Sequence, residues 1–496
     1  MKNILKRGVL GLMLAGSLTS CDKDFLETAP TDQIATEGVF TTTKNAWAAV
    51  NGIHRLMYSQ IFSTQSQGGQ SGNMLYMEAM GDDMVFPNAS NSWLLSEYRW
   101  ISHRNPSSSI NFYNYTFYFV IIRNANMIIA NVDKTEGTDA DKKAIKAEAL
   151  TYRSWAYFQM VQLFGERYVA GGANSSLAVP LVLEPKTEPT PRSTVAQVYA
   201  QINTDINDAI TLFDGYSRPN KSHFNINIAK GIKARIALAQ QDYATAAQFA
   251  KEARSGYTLM SNAQYLGGFN NYENPEWMWG SRIVADQTNY FYSFFAYMSI
   301  NFNSTAIRST PKLINSALYT KIASTDIRKQ LWDPTGKNTT DFPLPASNFQ
   351  RFAYQSRKFR VADPTLSIGD VPYMRAAEMY LIEAEALARA GNNAGAADAL
   401  YTLAVNRDPQ YVKSTKTGAD LIDEIMTQRR AELWGEGFRF YDLKRTASPL
   451  NRNGGNHNAS YNNGVFDVPA NDIRWQFLIP QDEINNSNGV VVQNPQ

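Results

Sequence analysis

Alanines set three and four residues apart on both sides of a short break constrain this chain's fold more than any other feature. In residues 228–255 the first arm carries Ala234, Leu238 and Ala239. Asp242-Tyr243 breaks it, and Ala246, Ala247, Ala250 and Ala253 follow. The layout returns with Ala384, Ala386, Leu387 and Ala388, a break at Gly391-Asn392-Asn393, then Ala396, Ala397, Leu400 and Ala404, with Pro409 beyond the end. Small side chains at helical spacing let two antiparallel helices approach closely, as in tetratricopeptide hairpins. From Asp141, the residues Ile145, Ala149, Tyr152, Ala156, Met160 and Leu163 form a further stripe, and Gly165 is placed to cap it. Thr194 and Gln197 have capping-box spacing before Val198, Ile202, Ala209 and Phe213. These patterns predict a mainly α fold. About four tetratricopeptide-like hairpins, too irregularly spaced for a regular array, would lie mainly within 114–256 and 372–445. Residues 59–113 and 257–370 lack that rhythm. They are rich in Gly, Asn, Ser, Pro and Tyr and read as a loop-rich, irregular subdomain with few short strands. Trp277 and Trp279 fit one buried strand. A loop-rich region on a rigid scaffold is where binding usually resides.

The N-terminus sets a location. Lys2, Lys6 and Arg7 precede an apolar run from Val9 to Leu18, then Thr19, Ser20 and Cys21. A basic segment, a short apolar segment and small residues describe a signal peptide. Ten apolar residues are too few to span a bilayer. Leu18-Thr19-Ser20-Cys21 resembles the lipobox of bacterial lipoproteins, in which the cysteine is acylated and the chain is cut just before it. The plainer reading is an ordinary secretory signal followed by an incidental cysteine. The division expected is a signal peptide at 1–20, a lipid-anchored tether at 21–35 and one domain at 36–496. Cys21 is the only cysteine, so no disulfide can form within the chain. The leader holds three of the 47 basic residues and none of the 45 acidic ones. That leaves 44 against 45, a net charge of −1, and no basic field for nucleic acid. Phe117 to Ile122 is the longest apolar run elsewhere; Arg123, Asn124 and Asn126 end it, which suits a buried helix segment.

Residues suited to catalysis are few. His54, His103, His223 and His457 are far apart and lack ligand spacing, so no metal site is expected. No nucleophile elbow or phosphate loop occurs. Asp82-Asp83 is the one doublet suggestive of glycoside hydrolysis, and loop capping or hydrogen bonding to a ligand without chemistry is the reading preferred for it. Sugar binding fits better. A sugar offers an apolar C–H face to flat rings and a rim of hydroxyls to Asp, Asn, Arg and Gln. The chain has 9 Trp, 26 Tyr and 25 Phe, and two loops combine such residues. One contains Asp82, Asp83, Trp93, Glu97, Tyr98, Arg99, Trp100 and His103. The other runs from Asp286 to Asn303, with Asn289, Tyr290, Tyr292, Tyr297 and Asn301. Asp82, Asp83, Trp93, Arg99, Trp100, Tyr290, Tyr292 and Asn301 are the candidate ligand contacts. For any single ring, core packing is the competing explanation.

A resemblance runs through nearly the whole chain. After the lipobox come Asp22-Lys23-Asp24-Phe25-Leu26, then Ala147-Glu148-Ala149-Leu150 with Arg153, Phe158 and Leu163-Phe164-Gly165. Pro191-Arg192, Thr194-Val195, Tyr199, Ile202 and Asp205 follow. Pro372 to Ala386, Arg429 to Arg445, Ile479 to Ile484 and Gln493-Asn494-Pro495 complete the order. In this order the segments resemble those of the SusD/RagB nutrient-binding lipoproteins of Bacteroidetes outer membranes. Gln428 and Gly435 depart from the family pattern, as does the missing proline after Phe164-Gly165. The resemblance implies cell-surface capture of a nutrient, most expectedly an oligosaccharide, with glycan contacts in loops. It also implies a SusC-like TonB-dependent transporter as partner, which would supply the uptake energy, so no cofactor is needed. A lipid-anchored glycoside hydrolase, a tetratricopeptide-type protein adaptor and a peptide-binding relative are the alternatives. The charges of these segments could pair structurally, Arg429 with Glu432, Glu436 with Arg439, and Glu383 with Arg375.

Overall fold

The computed structural model describes residues 40–88, 92–288, 290–346 and 348–496. Cys21, the leader, the tether and Asn289 lie outside them.

Helices carry the scaffold. After α1 (Thr43–Leu56) and α2 (Gly69–Ala79) come α3 (Ser109–Asn131), α4 (Asp139–Phe164), α5 (Val195–Leu212), α6 (Ile226–Ala239) and α7 (Tyr243–Ala253). The C-terminal half adds α8 (Ala376–Arg389), α9 (Asn393–Arg407), α10 (Gly418–Leu433) and α11 (Arg439–Arg445). Each helix from α3 to α9 packs on the next, and α10 packs on α8. The hairpin breaks fall where the alanine pattern predicts. Asp242 caps α7 and Asn392 caps α9, each side chain accepting a backbone N–H of the first turn. Thr194 and Gln197 make a complete capping box on α5. Ala234, Ala246, Ala250 and Ala253 are fully buried between α6, α7 and their neighbours.

One large apolar core runs under both halves, and a smaller one fills the space between α8, α9 and α10. Phe117, Ile121 and Ile122 lie in the large core, as a buried helix segment requires. Among the described residues, no helix is long and apolar enough to cross a membrane.

Strands are short. β1 (Met84–Val85), β5 (Leu313–Ile314), β6 (Trp332–Asp333) and β7 (Gln355–Ser356) form one sheet in the order β1-β5-β7-β6. β2 (Leu177–Pro180) pairs with β3 (Arg192–Thr194). β4 (Trp277–Ser281), buried throughout, pairs antiparallel with β8 (Val371–Arg375), which runs directly into α8. The tryptophan strand therefore lies where the sequence places it.

Two expectations are corrected. The stretch 59–113 contains α2, whose residues are all buried. A helix covered on every side has no polar face, so it leaves no amphipathic period to read. The charges also pair differently. Arg375 meets Glu276, Glu432 and Glu436, while Glu383 is held by Arg254 at 2.6 Å. Arg407 and Arg328 also reach Glu432, and Lys358 lies 2.7 Å from Glu436. Ion pairs across elements, rather than along one helix, lock β8, α9 and α10 together. Removing one partner of such a buried pair costs about 3–5 kcal/mol.

Candidate functional site

The segment from Val284 to Asn303 presents an exposed aromatic surface. Tyr290 and Phe291 are each 41% exposed, whereas Phe302 beneath them is 1% exposed. The Tyr290 ring meets Phe291 edge-on at 4.5 Å and Phe302 at 5.3 Å; Phe291 lies 5.9 Å from Phe302. Two neighbouring rings thus stand in water on a buried third. Tyr290 has φ +49°, a left-handed conformation uncommon for a tyrosine.

The flanks hold this loop in place. Thr288 Oγ1 donates to the Leu366 carbonyl at 2.7 Å, and the Ser293 and Ser367 hydroxyls are 2.6 Å apart. Tyr58, just past α1, donates to Gln287 Oε1 at 2.8 Å. Ser293 also caps the short helix Phe294–Met298. Tyr292 is half-buried beside it. Asn301 donates to the Val361 carbonyl at 3.2 Å and accepts from the Val361 N–H at 2.9 Å. Its amide therefore pins the loop to its neighbour.

Trp93 is half-buried and lies edge-on to Tyr297 at 5.8 Å. That contact ties the first candidate loop to the second. Arg99, partly exposed, donates from Nε to the Tyr461 carbonyl at 2.8 Å.

Three of the predicted contacts are buried and already partnered. Asp82 accepts from Arg439 at 2.5 Å, and Asp83 lies 2.6 Å from Arg430. Burial opposes ionisation of Asp82, yet Arg439 more than offsets it and holds the carboxyl down to about 2. Trp100 is packed against His103, Phe440 and Trp475, with its indole N–H on the Met80 carbonyl at 2.9 Å. We therefore assign Asp82, Asp83 and Trp100 to the scaffold. Sequence alone does not separate Asp82 and Asp83 from surface residues, because Arg439 and Arg430 lie 357 and 347 positions away, and the rings that bury Trp100 include Phe440 and Trp475. Phe291 and Phe302 are the additions, and an unbroken aromatic run Tyr290-Phe291-Tyr292 is the signal that could have included Phe291.

Residues 240–496 match a family model described as the SusD family. This chain belongs to the SusD family. Residues 24–238 match a second SusD-like model, described as starch-binding associating with outer membrane. The SusD fold here is similar to that of a SusD-like carbohydrate binding protein from Bacteroides vulgatus. Identity is 23% and the TM-score 0.80, over 91% of this chain and 97% of that one. A SusD superfamily protein from Bacteroides thetaiotaomicron is 24% identical with a TM-score of 0.76, over 92% and 100%. A laminarin binding SusD-like protein is 20% identical with a TM-score of 0.71, over 92% and 100%. No curated protein matches the chain. Starch binding and outer-membrane association are named in the description of the second model, over residues 24–238.

Proposed function

We propose that this SusD-family chain captures a glycan at the cell surface and passes it to a SusC-like TonB-dependent transporter. Cys21 would carry the lipid that holds it on the outer membrane. The exposed pair Tyr290 and Phe291, raised on buried Phe302, is the observation that carries the reading. Aromatic faces of this kind stack on the C–H face of a sugar. Trp93 and Tyr292 border the same loop region, and Asp286 and Gln287 offer polar groups beside it. The laminarin-binding relative and the starch-binding family description support a glucan as the first ligand to try.

Hydrolysis finds no support at Asp82-Asp83. A glycosidase needs one carboxyl raised in pKa as an acid. Asp82 is instead held ionised by Arg439, and Asp83 is bound by Arg430.

Calorimetric titration of the purified chain with starch and laminarin oligosaccharides tests the reading, with the products analysed for chain length. Saturable binding without shortening is expected. Binding of peptides but no glycan would refute the cargo, and a shortened glycan would refute the purely binding role. Replacing Cys21 with Ala should release the protein from the membrane fraction, because stable anchoring needs its acyl chains.

A further inference from the structure

His54 near the end of α1, Glu148 on α4 and His223 in the loop before α6 meet although 94 and 75 positions separate them from Glu148. His54 Nε2 lies 3.1 Å from Glu148 Oε2, and His223 Nδ1 lies 2.8 Å from Oε1. The three donor atoms all fall within 4.8 Å of one another. The imidazole rings are edge to face, 4.3 Å apart. The absence of ligand spacing along the sequence is therefore no guide here, since the fold creates the cluster.

We propose that His54, Glu148 and His223 form a site for one divalent first-row transition metal, with zinc the best match. Two imidazoles and one carboxylate are the donor set that zinc takes in three-ligand sites with an open fourth position. Zinc bonds of about 2.0–2.2 Å put neighbouring ligands roughly 3.3–3.4 Å apart, close to the two contacts seen. The His54 side chain is 10% exposed. Glu148 and His223 are buried, which keeps competing water away. The Tyr152 ring lies 5.7 Å from that of His54, and among the described residues its buried hydroxyl has no hydrogen-bond partner. Binding moves the proton on each nitrogen facing Glu148 to the outer ring nitrogen or to solvent, and the lone pair takes its place. Nothing is oxidised. The ion would clamp α1 to α4 and to the loop before α6.

The test titrates the metal-stripped full chain with zinc by calorimetry and with cobalt by visible absorption. One zinc per chain, a rise in melting temperature and an intense tetrahedral cobalt band are expected. His54→Asn and His223→Gln should each weaken zinc by more than the roughly 10–100-fold that an outer-shell change costs. Should His223→Gln fail to fold, the partly exposed His54→Asn and the cobalt spectrum of the unaltered chain still decide. No stoichiometric metal on the folded chain, or undiminished binding in the folded variants, overturns the site.

Discussion

Arg430 on α10 holds Asp83, 347 positions earlier in the chain, with Nη2 2.6 Å from Oδ1. The C-terminal scaffold thus fastens the loop that begins the first candidate region. Asp83→Ala leaves Arg430, 18% exposed, without its carboxylate. The expected loss is about 3 kcal/mol of stability, read as a lower urea midpoint, with glycan affinity of the folded protein unchanged. Unaltered stability with abolished binding would instead make Asp83 a ligand contact.

Acid should weaken the fold in a defined window. Arg439 holds Asp82 at about 2, and Arg445 and Arg389 hold buried Glu385 at about 2, each against the opposing effect of burial. Both folded values lie below the ordinary 3.8 and 4.5. The unfolded chain therefore binds more protons in that window, and stability falls as the pH drops. The contribution is complete above about pH 4.5 and is lost towards about pH 2. Urea unfolding across this range checks it, and a flat profile would contradict it.

Gly435 stands where the family pattern has an aromatic residue, and its backbone explains why. Its φ is +80°, and an added Cβ would lie 2.6 Å from Phe359 and 3.0 Å from Met298. Gly435→Ala should cost about 1–3 kcal/mol, measured by thermal unfolding. No change in melting temperature would contradict this packing.

Legibility followed the range of the interaction. Caps and alanine faces act over a few positions, so the Thr194 cap and the hairpins, with breaks at Asp242 and Asn392, are readable. Helix α2 was not, because burial on every side erases its period. Asp82 and Asp83 read as loop acids, since nothing near them in sequence reveals Arg439 and Arg430. His54 and His223 looked isolated for the same reason. Of the candidate ligand contacts, Tyr290, Tyr292 and Trp93 keep exposed or half-buried rings, Asn301 serves its own loop, and Trp100 is core.

Titrating one bound glucan into the unaltered chain, Tyr290→Ala, Phe291→Ala and the double variant tests most directly whether Tyr290 and Phe291 form the stacking surface. Each lost ring should remove about 1–1.5 kcal/mol, a roughly five- to tenfold weaker affinity, with the melting temperature nearly unchanged. The double variant should bind weakest. Full affinity in the folded double variant would contradict the account.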